Sequence, residues 1–320
     1  MPHTQRRPEV AALIALLAGA LATGSSGIFV RLSETGPTAT AFWRGALALP
    51  LLAIWAGLER RTQASDSAGV RASLRQPLLL WAGVFFAGDL ALWHTSLLLT
   101  SVAASSLEAN CAPMLVSVFA WVLWGERPRL AFLAALALAF GGMLLILAPK
   151  LGAGGHALIG DALGLGTACF YAAYILAVAR LRGRYGTGIV MLASTLVFSV
   201  LLLPLGLLER FLPGTATGWW VLIGLAVTAQ VFGQGMIAYA LAHLPATFGA
   251  VGLFVQVVAA AVFAWAFLGE RLAPVQIAGG AVVLGAIALA RRSRAAPRAD
   301  IAHAQRASIQ SSAARQSDSR

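Results

Sequence analysis

Apolar stretches recur almost end to end from Val10 to Ala290, broken by short polar or charged connections. A bilayer core about 30 Å thick is crossed by roughly 20 apolar residues in a helix. The pattern therefore predicts ten spans, at 10–30, 39–58, 77–98, 103–124, 129–148, 158–179, 187–208, 218–241, 246–268 and 273–290. The longest cytoplasmic connection, from Glu59 to Gln76, is polar and charged. From Arg291 the chain turns rich in Arg, Ser, Ala and Gln without large apolar clusters, the composition of a disordered tail.

An internal repeat divides the spans. Val118-Phe-Ala-Trp-Val-Leu-Trp-Gly-Glu-Arg127 returns as Val262-Phe-Ala-Trp-Ala-Phe-Leu-Gly-Glu-Arg271, identical at seven of ten positions and offset by 144. The same offset carries Leu97 onto Leu241, Ala137 onto Ala281, Gly141 onto Gly285 and Leu145 onto Leu289. Each half holds five helices, an odd number, so the second half enters the membrane from the opposite side. The expected fold is all-α and integral to the membrane, ten transmembrane helices forming two inverted five-helix repeats. Its parts are an N-terminal segment 1–9, repeats at 10–148 and 149–290, and a basic tail 291–320.

Charge sets the orientation. With the N-terminus inside, eighteen Lys and Arg fall on the cytoplasmic side, and Arg31, Lys150, Arg210 and Arg271 fall outside. Both termini are then cytoplasmic, and the Ala- and Arg-rich composition without organelle signals points to a bacterial inner membrane. With 59% apolar and 11% charged residues the chain has too little polar surface for a soluble globule. The net charge of +11 lies in loops and the tail, not along one face, which sets nucleic-acid binding aside. Arg6 and Arg7 before an apolar run resemble a secretory leader, but the run continues through Ile28, Phe29 and Val30. Cys111 and Cys169 sit in separate apolar segments and read as packing residues.

Ionisable side chains at membrane depth are functional candidates by default. Here they are Arg44, Asp89, His94 and Glu108. Asp89, Trp93 and Ser96 share a helical face that could line a cavity, while His94 is turned about 140° away from Asp89 at about 100° per residue. Asp89 serves either that cavity or an ion pair with Arg44. Arg44 holds a substrate carboxylate, snorkels to the external interface, or ties its helix to another. Glu108 completes a capping box begun by Ser105 or acts in coupling or gating, and His94 hydrogen-bonds a neighbouring helix or does the same. Asn110 aligns with Ser117 and Trp121. In the second half Gln230 and Gln234 form a neutral polar face bracketing Gly233, the counterpart of Asp89. Tyr171, Tyr174 and Gln256 could complete a cavity, or each could bond across helices. The histidines lack metal-ligand spacing and there is no phosphate-binding Gly-rich loop, so no catalytic residue, metal or cofactor is expected.

The chain resembles the drug/metabolite transporter superfamily, in particular its EamA-type ten-helix members. The likeness spans about residues 10–290 and rests on five features in order. They are Ala41-Phe-Trp-Arg-Gly45, Ser101-Val-Ala-Ala-Ser105, Pro113, Gly125-Glu-Arg127 and its echo Gly269-Glu-Arg271. The resemblance implies a carrier, often an exporter, of small metabolites or drugs such as amino acids, working by alternating access. Two departures make the halves unequal: Pro113 falls on Val257, and Arg44 meets no basic counterpart around Met191 to Ser194. The expected partners are a small-molecule substrate and the lipid bilayer, with a homodimer open. The rival readings are a non-transporting membrane scaffold or sensor, and an enzyme of lipid-linked substrates, for which the sequence lacks clustered acid, base or metal residues.

Overall fold

The computed structural model describes residues 6–62, 76–99, 108–125, 129–148, 157–269 and 273–290. Among them there is helix and no strand. Helix α1 runs Arg6–Gly24 and continues after Ser25 as Ser26–Leu32. It is followed by α2 (Pro37–Thr62), α3 (Pro77–Leu99), α4 (Ala112–Trp124), α5 (Leu130–Leu147), α6 (Ala157–Leu181) and α7 (Thr187–Gly206). Helix α8 has three parts, α-helical Ala216–Leu225, π-helical Ala226–Gln234 and α-helical Gly235–Ala240. Helix α9 comprises Ala246–Gly252 and Val255–Leu268, and α10 is Pro274–Ala290. Six helices among the described residues are long and apolar enough to cross a membrane, and four more are shorter and apolar.

The starts and stops follow local chemistry. Proline opens α2, α3 and α10, where its missing N–H costs nothing and its fixed φ suits the first turn. Two helices end on a left-handed glycine, Gly125 at φ 69° and Gly269 at φ 67°. This is the conformation that a side chain resists, and it accounts for the glycine of both Gly-Glu-Arg copies.

Three helices depart from the expected spans. The first breaks at Ser25, whose hydroxyl donates to Ala22 O at 2.7 Å and competes with the helical ladder. The fourth turns at Asn110 and Cys111, ahead of Pro113 in the first turn of α4, and residues 103–107 of its expected span lie outside the described residues. The ninth turns at Leu253 and Phe254 without a proline. Under the 144-residue offset Phe254 is the counterpart of Asn110.

Packing interleaves the two halves. α2 lies on α7, α3 on α6 and α7, α1 on α8 and α9, α4 on α6, and α2 also meets α8. The α2–α7 crossing is close enough to bring backbone against backbone: a Cβ on Gly188 would sit 2.6 Å from Ala56 N and 2.7 Å from Ala56 Cα.

Carboxylates close both ends of this pair. Glu209, just after α7, accepts from Thr38 N at 2.8 Å and Ala39 N at 3.1 Å in the first turn of α2. Glu59, near the end of α2, accepts from Thr187 N at 2.8 Å and Gly188 N at 2.7 Å in the first turn of α7. Each thereby satisfies amides that a helix start leaves without partners and places negative charge where the helix dipole favours it. Beside Glu209, Trp43 Nε1 donates to Phe211 O at 2.8 Å, and the Trp43 ring packs edge-on against Trp219.

A third carboxylate, Glu34, lies in the α1–α2 connection and accepts from Gly214 N, Thr215 N and the Thr215 hydroxyl ahead of α8. The Thr215 hydroxyl, the two amides and nearby Arg210 hold its carboxyl below the ordinary value. A lowered carboxyl stabilises the fold above its unfolded pKa of about 4.3 and loses that contribution as pH falls through the folded value. Acid titration is therefore expected to loosen the Trp43–Trp219 contact, seen as a fluorescence change. In Glu34→Gln that acid transition should shrink, and an unchanged titration would remove Glu34 from its cause.

Candidate substrate site

Where α2, α3, α6, α7 and α8 meet, the interior is polar. Arg44 of α2 is 9% exposed, and its Nε donates to Gln230 Oε1 of α8 at 3.0 Å. Gln230, fully buried, donates from Nε2 to Thr195 Oγ1 of α7 at 2.9 Å. A bonded string thus joins three helices drawn from both halves. Gly45 permits this approach, since a Cβ there would meet Ser199 Oγ and the Phe198 ring of α7.

Aromatic side chains form one wall. The Arg44 guanidinium lies 5.6 Å from the Phe86 ring centroid, in the range of a cation–π contact. Phe86 stacks on Tyr174 at 4.5 Å, Tyr174 lies 6.1 Å from Tyr171, and Phe198 meets Phe86 edge-on. The Tyr171 hydroxyl faces Gln234, and that of Tyr174 faces Ser194 and Met191 Sδ. Asp89, three residues beyond Phe86 on α3, is 9% exposed and interacts electrostatically with Arg44.

Both glutamines ride on the π-helical part of α8, a rare geometry that recurs at functional sites. The i, i+4 reading of Gln230 and Gln234 assumed an α-helix. The π stretch instead carries the two side chains to different partners, one to Arg44 and Thr195, the other to Tyr171.

The structure gathers Arg44, Asp89, Gln230, Gln234, Tyr171 and Tyr174 into one region. Arg44 does not snorkel outward; it ties α2 to α8 through Gln230 and interacts with Asp89, while Tyr171 meets both Asp89 and Gln234. Trp93 is half-buried one turn from Asp89, and Ser96 is fully buried with no partner for its hydroxyl among the described residues. Asn110 and Gln256 meet each other, and Thr23 links Gln256 to the backbone beside Gly233 of α8. Gln256 Nε2 approaches Asn110 Oδ1 at 3.4 Å, and Thr23 Oγ1 approaches Gln256 Oε1 at 3.4 Å, where α1, α4 and α9 converge. Glu108 lies against Gly164 of α6. The His94 side chain and Ser105 lie outside the described residues.

Sequence reasoning did not anticipate Phe86, Thr195 and Phe198. Phe86 stands three residues before Asp89, a spacing that places the two on one helical face and would have found it. Thr195 and Phe198 carry no comparable signal. Among the described residues no group of three His, Cys, Asp or Glu could hold a metal ion.

Known proteins place this architecture. The chain is 27% identical to the pseudopaline exporter CntI of Pseudomonas aeruginosa over 285 residues, 88% of this chain and 96% of that one. It is 37% identical to the threonine/homoserine exporter RhtA of Escherichia coli K12 over 137 residues, 41% of this chain and 43% of the relative. A protein of known crystal structure superposes with a TM-score of 0.69 at 20% identity, covering 91% of this chain and 99% of the other, a likeness of fold. The family model of EamA-like transporters matches residues 10–148 and 158–292. The chain belongs to the EamA-like transporter family, and is a multi-pass membrane transporter rather than an enzyme.

Proposed function

We propose that this chain is a secondary carrier that exports small metabolites or drugs, such as amino acids, by alternating access. In this reading all ten helices span a bacterial inner membrane as two inverted repeats, at 10–148 and 149–290, with both termini in the cytoplasm. The substrate site lies between the halves and is lined by Asp89, Gln230, Gln234, Tyr171 and Tyr174, with Arg44 among them. The observation that carries the reading is the buried Arg44–Gln230–Thr195 string beside Asp89, because polar groups at membrane depth are costly unless they serve a pathway or a partner.

The inverted repeat has independent support. Exchanging each helix for the one five places along turns α3–α6 packing into α8–α1, α4–α6 into α9–α1, and α2–α8 into α7–α3, all of which occur. The carboxylate caps exchange in the same way, Glu59 for Glu209. The excess of basic residues on alternate connections supports the orientation, and the names of both relatives support export.

The test is counterflow in proteoliposomes over a broad panel of solutes. Asp89→Asn and Gln234→Leu, confirmed as folded, are expected to lower flux at least about tenfold, the effect of losing one hydrogen bond to a charged group of the substrate. Unaltered flux in both, or no solute carried by the native chain, would favour a scaffold or sensor. Asp89 and Glu108 are the candidate proton carriers, and flux insensitive to an imposed pH gradient would eliminate that role.

A further inference from the structure

We infer that Arg44 is the receptor for a carboxylate group of the substrate, and that Gln230 occupies it in the empty carrier. This rests on the carrier reading above and narrows its substrate class.

A guanidinium offers five N–H donors in a planar fork that matches a carboxylate. Among the described residues Arg44 donates a single hydrogen bond, from Nε, and its acceptor is the neutral amide oxygen of Gln230. Its two terminal amino groups meet no acceptor there, and no carboxylate of the described residues lies within 4.0 Å of it. Asp89 acts on it electrostatically without forming an ion pair at that distance. A 9% exposed cation at membrane depth is thus left short of partners, whereas buried charges are ordinarily paired and fully hydrogen-bonded. A carboxylate entering beside Phe86 would complete the set in two parallel N–H to O bonds.

The neighbours decide which anion fits. Asp89 repels a doubly charged phosphate twice as strongly as a carboxylate, whose single charge the one cation, Arg44, balances. Asp89 in turn suits an ammonium on the same ligand. The ring faces of Phe86, Tyr174 and Tyr171 lie alongside for the ligand's apolar part. The ligand class is an amino acid or a similar small zwitterion, held by both charges. Because Gln230 is also tied to Thr195, a carboxylate that takes its place on Arg44 releases α2 from α8 while leaving α8 tied to α7. Binding and loosening of the site thereby become one event.

The experiment is counterflow by the full chain in proteoliposomes, first with each common L-amino acid. The best substrate is then compared with its carboxamide and its decarboxylated amine. The native carrier is expected to favour the acid over both analogues at least about tenfold, and Arg44→Lys to raise the KM for the acid by a similar factor. Gln230→Ala, which removes the internal competitor and keeps the charge, should lower that KM about fivefold. A protein with a merely structural Arg44–Gln230 tie would show the opposite sign in Gln230→Ala. Equal transport of acid, carboxamide and amine, or an acid preference intact in Arg44→Lys, overturns the inference while leaving the carrier reading standing. A native chain that moves no solute at all overturns both. If Arg44→Lys does not fold, the native analogue series and Gln230→Ala still decide.

Discussion

Gly188→Val is expected to abolish assembly of the helical core. The atoms that a side chain would strike belong to the α2 backbone, Ala56 N and Cα and Trp55 C, so no neighbouring rotamer can give way. Overpacking commonly costs about 1–3 kcal/mol, and an obstruction by backbone belongs at or above the top of that range. The α2–α7 crossing also carries Arg44 on one helix and Thr195 on the other, so forcing the helices apart breaks the string through Gln230. Thermal unfolding of detergent-solubilised protein should show the variant aggregated or unfolded far below the native chain, with Gly188→Ala in between. A Gly188→Val protein that melts like the native one would mean that the two helices do not cross there.

The second large effect is expected from the paired caps. Glu59→Ala and Glu209→Ala each leave two helix-start amides without their carboxylate, a loss of about 1–2 kcal/mol apiece. The two sites lie near opposite ends of α2, about 30 Å apart at 1.5 Å per residue, so the double variant should lose about 2–4 kcal/mol with little coupling. Unfolding midpoints of the two singles and the double measure this directly. A double variant no worse than either single would show that the caps are not independent supports.

What was legible in the sequence was what hydrophobic runs and repetition encode. The Val118 and Val262 segments announced equivalent helix ends, and both terminate on left-handed glycines. The caps were less visible. Leu58-Glu-Arg60 and Leu208-Glu-Arg210 are a second repeat, but its offset is 150 rather than 144, and in an alignment fixed on the later motif the two copies do not meet. Both glutamates look like ordinary loop charges until the partner helix is in place. Within the site, Arg44, Asp89 and Gln230 could be singled out because polar groups in apolar runs are conspicuous. Which of them touch could not be read, because contact depends on how α2 crosses α8 and on the π-helical part of α8. No propensity rule locates that stretch, since π turns are rare and carry no sequence signature of their own.

The reciprocal caps also bear on what a single repeat can be. Each half supplies the carboxylate that finishes a helix of the other. Residues 1–148 made alone would carry an α2 with bare leading amides and a Glu59 with no helix start to close. Two copies of such a fragment could repair one another by laying their second helices antiparallel, each Glu59 on the other's Thr38 and Ala39. On the two-repeat reading, the stable unit is therefore expected to be a pair of repeats, whether they are joined in one chain or brought together as separate ones.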